Sequence, residues 1–380
     1  MKRQPKQEQR STDDADASVR VTDRCWCGSG RRFEDCHLNR HGEKPLPDRA
    51  IVAKAAKYFE RRECLHPQAS RQTCGTVIQA HTVARSALLG RIVDPKNKVS
   101  TFFGADRSAN RLFRPIDVGW KEASTFRGFC DKHDGPLFAP LEQQPFKATP
   151  EQCFLLAYRA VCHELYQKRS SWNSRNDIKS LIDRGLSPAE QLQIQQLLGI
   201  QSAGIHAGMS DAIDTKFQMD QALNSASFST WRCVVLCFEG ETSVVSAGAP
   251  TPNVDLDGNS IQVLHDRASH VQPLAFGMAP LDSGFVVVFA WRATDAAPAK
   301  FMDSLLSRPH DDVPHIVAQV MFAYVENTYF SRSWWEQRRM FVQKHIEQLA
   351  YEYNPYYKHP SYLLKHVVPW TLRSIEWVIT

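Results

Sequence analysis

The sequence of 380 residues lacks several patterns that would identify a common class of protein. It contains no run of about eighteen apolar residues, the length needed for a transmembrane helix. It has no Gly-rich phosphate-binding loop, no dinucleotide-binding fingerprint and no Gly-x-Ser-x-Gly nucleophile elbow. The first residues are polar, whereas a secretory signal has an apolar segment there. We therefore expect a cytoplasmic protein that contacts no membrane, and the sequence does not indicate a nucleotide-dependent enzyme or a serine hydrolase.

The overall composition is that of an ordinary folded protein. Hydrophobic residues make up 43% of the chain, charged residues make up 23%, and the formal net charge is +5. A chain of this length and composition has room for two or three domains. Its net charge is too small to indicate nucleic-acid binding by itself. Residues 1–24 are almost free of apolar side chains, which predicts a disordered tail.

Ten cysteines are present, and several of them lie near histidines. This grouping, without a secretory signal, indicates metal binding in a reducing compartment and not a disulfide framework. The first group has the spacing Cys-x-Cys-x8-Cys-His, from Cys25 to His37. Three thiolates and one imidazole complete a tetrahedral structural zinc site. The intervening segment Gly28-Ser29-Gly30 suits a tight turn, since glycine accepts positive φ without steric cost.

The first group resembles the SEC-C zinc-binding motif over residues 25–40. This motif is known from the tail of the preprotein translocase motor ATPase and from many otherwise unrelated bacterial proteins. The resemblance implies a bacterial-type protein with one Zn²⁺ held by Cys25, Cys27, Cys36 and His37. In the translocase motor the tail docks onto an export chaperone. The resemblance therefore also implies a protein partner for the residues around the cluster: Trp26, Arg31, Arg32 and Phe33.

A second group of metal ligands is dispersed over residues 64–133. Cys64-x9-Cys74 precedes a segment that contains Gln79-Ala80-His81, and Cys130-x2-His133 follows much later. Cys130 and His133 fit the first turn of a short helix, whose length Pro136 and Pro140 would limit. We predict a second zinc ion held by Cys64, Cys74, Cys130 and His133, with His66 or His81 as alternative ligands. The segment then resembles a treble-clef zinc unit.

His81 has a further interpretation. Treble-clef units of the His-Asn-His endonuclease kind place a histidine after the first zinc half, a central asparagine and a final helical histidine. In this interpretation His81 is the catalytic histidine, Asn97 or Asn110 the asparagine, and His133 the last residue. Such an enzyme would use His81 to deprotonate water and would need a divalent ion such as Mg²⁺. The gap between the two histidines is long, and His133 cannot readily serve two metals. A treble clef without catalysis is the simpler alternative.

Residues 75–133 concentrate positive charge. They contain ten Lys or Arg and five acidic residues, and this excess equals that of the whole chain. Such a segment would neutralise phosphates and bind DNA or RNA with an affinity that falls with salt. An ordinary solvated face has the same composition. The sequence thus leaves three functions open: nucleic-acid association through the N-terminal third, docking to a protein through the SEC-C module, and a metal-dependent endonuclease.

The predicted fold class is α+β, with small N-terminal zinc modules before a mixed helical and antiparallel-sheet domain. The predicted order is a tail at 1–24, the SEC-C module at 25–46, a second zinc-organised unit at 47–147, and the α+β domain at 148–380. Capping patterns at Thr149 and Ser187 begin helices that we place at 149–224. Strand patterns at 231–238, 242–247, 261–264 and 285–291 predict an antiparallel sheet within 226–295. Helices are predicted again over 310–380, including one from Val313 to Thr328, and an earlier helix is predicted from Asp48 to Arg62.

Overall fold

A computed structural model describes residues 20–104, 113–264, 270–351 and 363–379. The α+β class is confirmed, because helices and antiparallel sheets alternate along these residues. In chain order the helices are α1 (Asp48–Ala56), α2 (Gly90–Ile92), α3 (Asp131–Glu142), α4 (Pro150–Leu181), α5 (Pro188–Ser225), α6 (Ala296–Leu306), α7 (Val313–Tyr324), α8 (Arg332–Glu336) and α9 (Met340–Tyr351). No helix of the described residues is long and apolar enough to cross a membrane.

The strands form three antiparallel sheets. They are β1 (Val77–His81), β2 (Lys98–Thr101), β3 (Ile116–Gly119), β4 (Thr125–Cys130), β5 (Trp231–Glu239), β6 (Val244–Ser246), β7 (Ala275–Leu281), β8 (Gly284–Arg292), β9 (Thr328–Phe330) and β10 (Thr371–Ile379). The strand orders are β1-β4, β10-β5-β8-β7 and β3-β2-β9-β6. Few of the neighbouring strands are joined by a short connection, so most strand pairs bring together residues that are far apart in the chain.

The chain divides into two compact units. In the described residues, the first unit contains 20–58 and 173–203, and the second contains 59–172 and most of the chain from 204 onward. The first unit includes α1, the last turns of α4 and the first turns of α5. It buries few apolar side chains, namely Cys25, Cys27, Ile51 and Leu181. The second unit contains all three sheets and both large hydrophobic clusters.

The central sheet of the second unit is apolar on both faces. Val234, Leu236 and Phe289 belong to one cluster, whereas the alternate residues Val235 and Val288 belong to the other. Side chains alternate between the faces of a strand, so consecutive apolar residues fill both clusters. This explains why the runs in β5 and β8 are continuous and not amphipathic.

Both helix-start patterns are confirmed. The Gln152 amide donates to Thr149 Oγ1 at 3.2 Å, and the Ser187 amide donates to Glu190 Oε2 at 2.9 Å. These contacts satisfy backbone and side-chain groups at the starts of α4 and α5, as a capping box does. The capping side chains thus determine where the two longest helices begin.

Several predicted boundaries differ from the structure. The helix expected from Asp48 to Arg62 ends at Ala56 and continues only as a 3₁₀ turn over Lys57–Glu60. The helix expected from Val313 to Thr328 ends at Tyr324, and Thr328 begins β9. No strand forms over 261–264, where we predicted one. In these cases a short apolar segment fits a helix and a strand equally well, and pairing with distant residues decides which of the two forms.

Other differences concern elements that the sequence patterns missed. We predicted no strand over 275–281 and placed 371–379 among the helices, yet β7 and β10 form the edges of the central sheet. We also expected Pro136 and Pro140 to shorten α3, but the helix runs through both. Pro136 and Pro140 are the sixth and tenth residues of α3, so each removes an amide that would donate to the carbonyl four residues earlier, and the helix forms without those two bonds. The disordered tail was predicted over 1–24, and residues 1–19 of it lie outside the described residues.

We predict that Phe289→Ala lowers the free energy of unfolding by about 3–5 kcal/mol, because a fully buried ring leaves a cavity when it is removed. Phe289 is 1% exposed. The matched control is Phe341→Ala, since Phe341 is 55% exposed and its loss should change stability by about 0.5 kcal/mol or less. Urea denaturation of both variants measures the difference. Equal effects would contradict the assignment of Phe289 to the core.

Candidate metal centres

The first Cys/His cluster is built by a short antiparallel contact and one helical turn. The Cys25 amide donates to Arg31 O at 2.8 Å, and the Phe33 amide donates to Asp23 O at 2.9 Å. Gly28 and Gly30 make the turn between these segments with φ of +76° and +75°. Any residue with a Cβ is strained in this conformation. The next turn presents Cys36 and His37, because the amides of both residues donate to Phe33 O.

The four side chains converge on one point. Cys25 Sγ lies 3.1 Å and Cys36 Sγ 3.2 Å from His37 Nδ1, and Cys27 Sγ lies 3.6 Å from Cys36 Sγ. All four ligand atoms lie within 4.8 Å of one another. A tetrahedral ion with metal–sulfur bonds of about 2.3 Å and a metal–nitrogen bond of about 2.1 Å keeps its ligands roughly 3.6–3.8 Å apart. The cluster could therefore hold a metal ion after small movements of the side chains.

The other ring nitrogen of His37 is held by a buried carboxylate. His37 Nε2 lies 2.8 Å from Asp183 Oδ2 in the loop between α4 and α5. Asp183 is fully buried and also accepts a hydrogen bond from Gln195 Nε2 at 2.7 Å, while Arg40 Nε lies 3.1 Å from its second oxygen. A carboxylate on the outer nitrogen sets the tautomer and orientation of a metal-binding histidine. Asp183 thus directs Nδ1 of His37 toward the three sulfurs.

Protons compete with a metal ion for the ligand atoms of the first cluster. Burial raises the pKa of Cys25 to about 12. Burial acts the same way on Cys27, but hydrogen bonds from His37 and Ser29 lower the pKa of Cys27 to about 6. Burial disfavours the His37 cation, yet the hydrogen bond to Asp183 raises the pKa of His37 to about 9. Metal binding must displace the protons of His37 Nδ1 and of Cys25. Affinity should therefore fall as the pH falls.

Residues around the first cluster divide into covering and exposed groups. The Trp26 ring lies 4.4 Å from the His37 ring, between centroids, and covers one side of the cluster. Trp26 and Phe33 are half-buried, whereas Arg31 and Arg32 are exposed. Arg32 pairs with the nearby Glu34 at 3.3 Å. The two arginines are thus accessible to a partner.

The second predicted ligand set also converges. His133 Nδ1 lies 3.5 Å from Cys64 Sγ, 3.7 Å from Cys74 Sγ and 3.2 Å from Cys130 Sγ. The four ligand atoms lie within 4.8 Å of one another. Burial raises the pKa of Cys64 to about 12, whereas backbone hydrogen bonds outweigh burial and lower the pKa of Cys130. This cluster could hold a second metal ion.

Backbone pairing positions the second cluster. Cys130 ends β4 and pairs with Val77 of β1, and α3 begins at the next residue, which places His133 in its first turn. The Leu65 amide donates to Gly128 O at 2.8 Å, which ties the segment of Cys64 to β4. The ligands therefore come from a loop, a strand end and a helix start.

The alternative ligands have other roles in the structure. The His66 ring stacks on the His133 ring with centroids 4.1 Å apart and planes within 2°, and burial lowers the pKa of His66 to about 4. His66 therefore stays neutral and supports the ring of His133. His81 ends β1, and its Nε2 lies 3.2 Å from Lys121 O. Burial lowers the pKa of His81, so it is neutral near pH 7.

The structure describes only one of the two asparagines considered for a nuclease. Asn97 has φ of +60° and forms a turn in which its amide donates to Asp94 O at 3.0 Å. It is thus a turn residue in the structure. Asn110 lies outside the described residues. Because His133 faces three sulfurs, it belongs to the second cluster and is not placed beside His81 as a separate ligand.

The comparisons with known proteins agree with the first cluster. A family model described as the SEC-C motif matches residues 22–39, which contain all four ligands of that cluster. No curated protein and no solved structure is significantly similar to the chain. The resemblance thus concerns one small module, and the remaining residues are interpreted from their own geometry.

Asp183, Arg40 and Gln195 are functional residues that the sequence patterns did not reveal. Asp183 follows His37 by 146 positions, and no spacing rule connects a metal ligand with a carboxylate so distant. The available signal was indirect. A histidine ligand usually has a hydrogen-bond acceptor on its other nitrogen, but the sequence offers many candidates for that acceptor.

We predict that Asp183→Asn weakens Zn²⁺ binding at the first cluster about 10- to 100-fold, because His37 loses its carboxylate partner. Metal release from the full chain is measured against increasing chelator. One ion should leave the variant at correspondingly lower chelator than it leaves the wild type. The control is Asp177→Asn near the end of α4, whose carboxylate accepts from the Tyr58 hydroxyl at 3.0 Å. Identical release curves for Asp183→Asn and the wild type would contradict the prediction.

For the second cluster we predict that Cys130→Ser removes one bound ion and lowers the thermal unfolding temperature, because a buried thiolate ligand is lost. Cys237→Ser is the control, since Cys237 lies in β5 outside both clusters. Metal content and thermal unfolding are measured on both variants. If Cys130→Ser retains the wild-type metal content and stability, the ligand assignment is wrong.

Proposed function

We propose that both clusters bind zinc and that zinc is structural at each. A structural zinc site closes its tetrahedron with four protein ligands, whereas a catalytic site leaves a position for water. Three cysteines and one histidine supply four ligands in each cluster. Zinc would be important for the first unit in particular. That unit buries few apolar side chains in its described residues, and zinc binding supplies folding energy where burial is small.

We further propose that the second unit associates with nucleic acid through a surface around Trp120, which we call the Trp120 patch. It consists of Trp120, Arg85, Lys96, Lys98 and Lys121. The guanidinium carbon of Arg85 lies 6.0 Å from the Trp120 ring centroid, and the Trp120 amide donates to Asn97 O at 3.2 Å. Lys98 pairs with Gly119 across β2 and β3. These contacts gather cations from three chain segments around one aromatic ring.

The charge of this patch carries the proposal. Arg85, Lys96, Lys98 and Lys121 are exposed. None of them forms an ion pair with another described residue, whereas Arg114 and Arg127, from the same basic segment, are paired with Glu347 and Glu60. The acidic neighbour Asp94 accepts from the backbone amides of residues 96 and 98. Positive side chains beside an aromatic ring can contact the phosphates of a nucleic acid while the ring stacks on a base.

The single-stranded form is the preferred partner in this proposal. A flat aromatic ring can stack on an unpaired base, whereas a duplex keeps its bases in the stack. The half-buried Trp120 and the neighbouring Arg85 offer such a surface. In this respect the Trp120 patch differs from an ordinary solvated face, which has charge but no partly accessible aromatic ring.

We predict that binding to a labelled single strand weakens steeply with salt. Four phosphate contacts give a slope of roughly −3 in a plot of log affinity against log salt, since each contact contributes about −0.7. The triple variant Lys96→Gln/Lys98→Gln/Lys121→Gln should reduce the slope by about 2 and weaken binding at low salt. Fluorescence anisotropy at several salt concentrations measures both quantities. The control Lys300→Gln/Lys344→Gln removes two exposed lysines elsewhere and should leave the slope unchanged.

Other outcomes of this titration point to the alternatives. If neither a strand nor a duplex binds at low salt, the nucleic-acid proposal fails, and docking to a protein through Trp26, Arg31, Arg32 and Phe33 becomes the better interpretation. Cleavage of the strand in the presence of Mg²⁺, abolished by His81→Ala without loss of binding, would indicate the endonuclease. His81 lies at the edge of the Trp120 patch through its contact with Lys121 O, so its role is tested on the same samples.

A further inference from the structure

The second unit contains a cavity of about 510 Å³ whose lining includes no ligand of either metal cluster. Its walls come from β2, β3, β4, α4, α5, the segment after β6 and the connection from α7 to β9. The volume lies within the range of roughly 300–1,000 Å³ that is usual for small-molecule sites. Thr101 and Ala247 of the wall are 1% exposed, whereas Phe103 is 43% exposed. The cavity therefore reaches from the surface into the core and has room for a body of the size of a nucleobase.

The cavity and the Trp120 patch share one turn of the chain. This turn joins β3 to β4, and the amides of Glu122 and Ala123 both donate to Gly119 O, at 3.0 and 2.9 Å. Trp120 and Lys121 of the turn belong to the patch, whereas Glu122 and Ala123 line the cavity. Consecutive Cα atoms are about 3.8 Å apart, so the patch gives way to the cavity wall within one residue.

A strand also connects the patch with the cavity. β2 carries Lys98 of the patch and, three residues later, Thr101 of the cavity wall. A strand advances roughly 3.3 Å per residue, which places the two Cα atoms roughly 10 Å apart. The Trp120 patch and the cavity are thus neighbouring regions of one surface.

The cavity offers no free cation to a phosphate. Lys168 is the only lysine or arginine among the described residues of its lining, and it pairs with Glu164 at 3.0 Å. His163 also lines the cavity, and burial lowers the pKa of His163 to about 4, so its ring is neutral near pH 7. A phosphate that entered would lose its hydration without gaining an ion pair, which is costly. An uncharged group enters at lower cost.

The walls suit a flat, uncharged ring. Phe103 and the buried Tyr329 are aromatic residues of the lining, and aromatic side chains pack face to face or edge to face with other flat rings. Gln167 and Asn327 line the cavity as well, and carboxamides are among the groups that proteins pair with base edges. This combination fits a nucleobase, which is flat, uncharged and edged by hydrogen-bond donors and acceptors.

We propose that the cavity receives one base of the single strand that binds at the Trp120 patch. The phosphates of the strand stay with Arg85, Lys98 and Lys121, and a neighbouring base stacks on Trp120. A base in a single strand is unpaired, so turning it into a pocket costs less than extruding it from a duplex. This site depends on the nucleic-acid association proposed above and adds a base pocket to it.

The first experiment locates the base by photochemical cross-linking. A short single strand carries 5-iodouracil in place of thymine, and near-ultraviolet light couples this base to an aromatic ring in contact with it. Peptide mass spectrometry of the cross-linked full chain identifies the ring. Cross-links are expected at Tyr329 or Phe103 in addition to Trp120. Cross-links at Trp120 without either cavity residue would leave every base on the surface and overturn the base pocket, while the nucleic-acid association would stand.

The second experiment fills the cavity. Ile205 of α5 is a half-buried residue of the lining, and Ile205→Trp should weaken binding of oligothymidylate about tenfold, because a base loses its stacking contacts. The salt slope should stay unchanged, since no phosphate contact is lost. The matched control is Ile213→Trp on the same helix, at a position that is 42% exposed and lies outside the lining. Fluorescence anisotropy measures binding, and thermal unfolding verifies the fold of both variants.

An abasic strand separates the base pocket from the phosphate contacts. A strand of the same length without bases should bind Ile205→Trp and the wild type equally. Phe103→Ala is a second variant at an exposed position, where the fold is retained, and it should weaken oligothymidylate about fivefold. If the wild type binds no strand at low salt, the nucleic-acid association fails and the base pocket with it. If the wild type binds but both cavity variants bind oligothymidylate like the control, the base pocket alone is overturned.

Discussion

The second unit depends on a sheet that must be covered on both faces. Residues of β5 and β8 alternate between two hydrophobic clusters, so neither face can remain in contact with water. One cluster takes in α6, α7 and α9, and the other takes in residues of α4 and α5. Burial of apolar surface contributes roughly 25 cal/mol per Å², which makes this two-sided packing the largest source of stability in the unit. The positions of the remaining elements follow from the need to cover it.

The second metal cluster is connected with this packing. Phe129 precedes the ligand Cys130, and Phe138 lies on the helix that carries His133; both rings are fully buried in the same hydrophobic cluster as Phe154 of α4. The ligands at residues 64–133 and the helical residues after 150 therefore share one core. The first cluster differs, because its immediate support is polar. There a buried carboxylate, a guanidinium and an amide surround His37.

The comparison of sequence and structure separates local from long-range information. Patterns that act over a few positions were predicted. They are the capping residues Thr149 and Ser187, the ligand pairs Cys25/Cys27 and Cys130/His133, and the apolar runs of β5 and β8. Asp183 could not be predicted, because its contact with His37 depends on how two distant segments meet. The edge strand β10 was missed for the same reason. Its mixture of exposed, half-buried and buried residues shows no clear strand pattern, and it pairs only because β5 offers a free edge.

The way in which β1 and β4 meet has an evolutionary consequence. His81 pairs with Thr125, and the next residues also touch, since the Thr82 amide donates to Ser124 O at 2.8 Å. The chain thus leaves the strand pair β1-β4 and returns to it at adjacent points. Closing a long loop costs little more than closing a short one, and loops whose ends meet accept insertions most readily. Residues 83–123 could therefore have exchanged their exposed side chains over generations, whereas Leu88, Leu89 and Ile92 are held in the core and β2 is held by its pairing with β9.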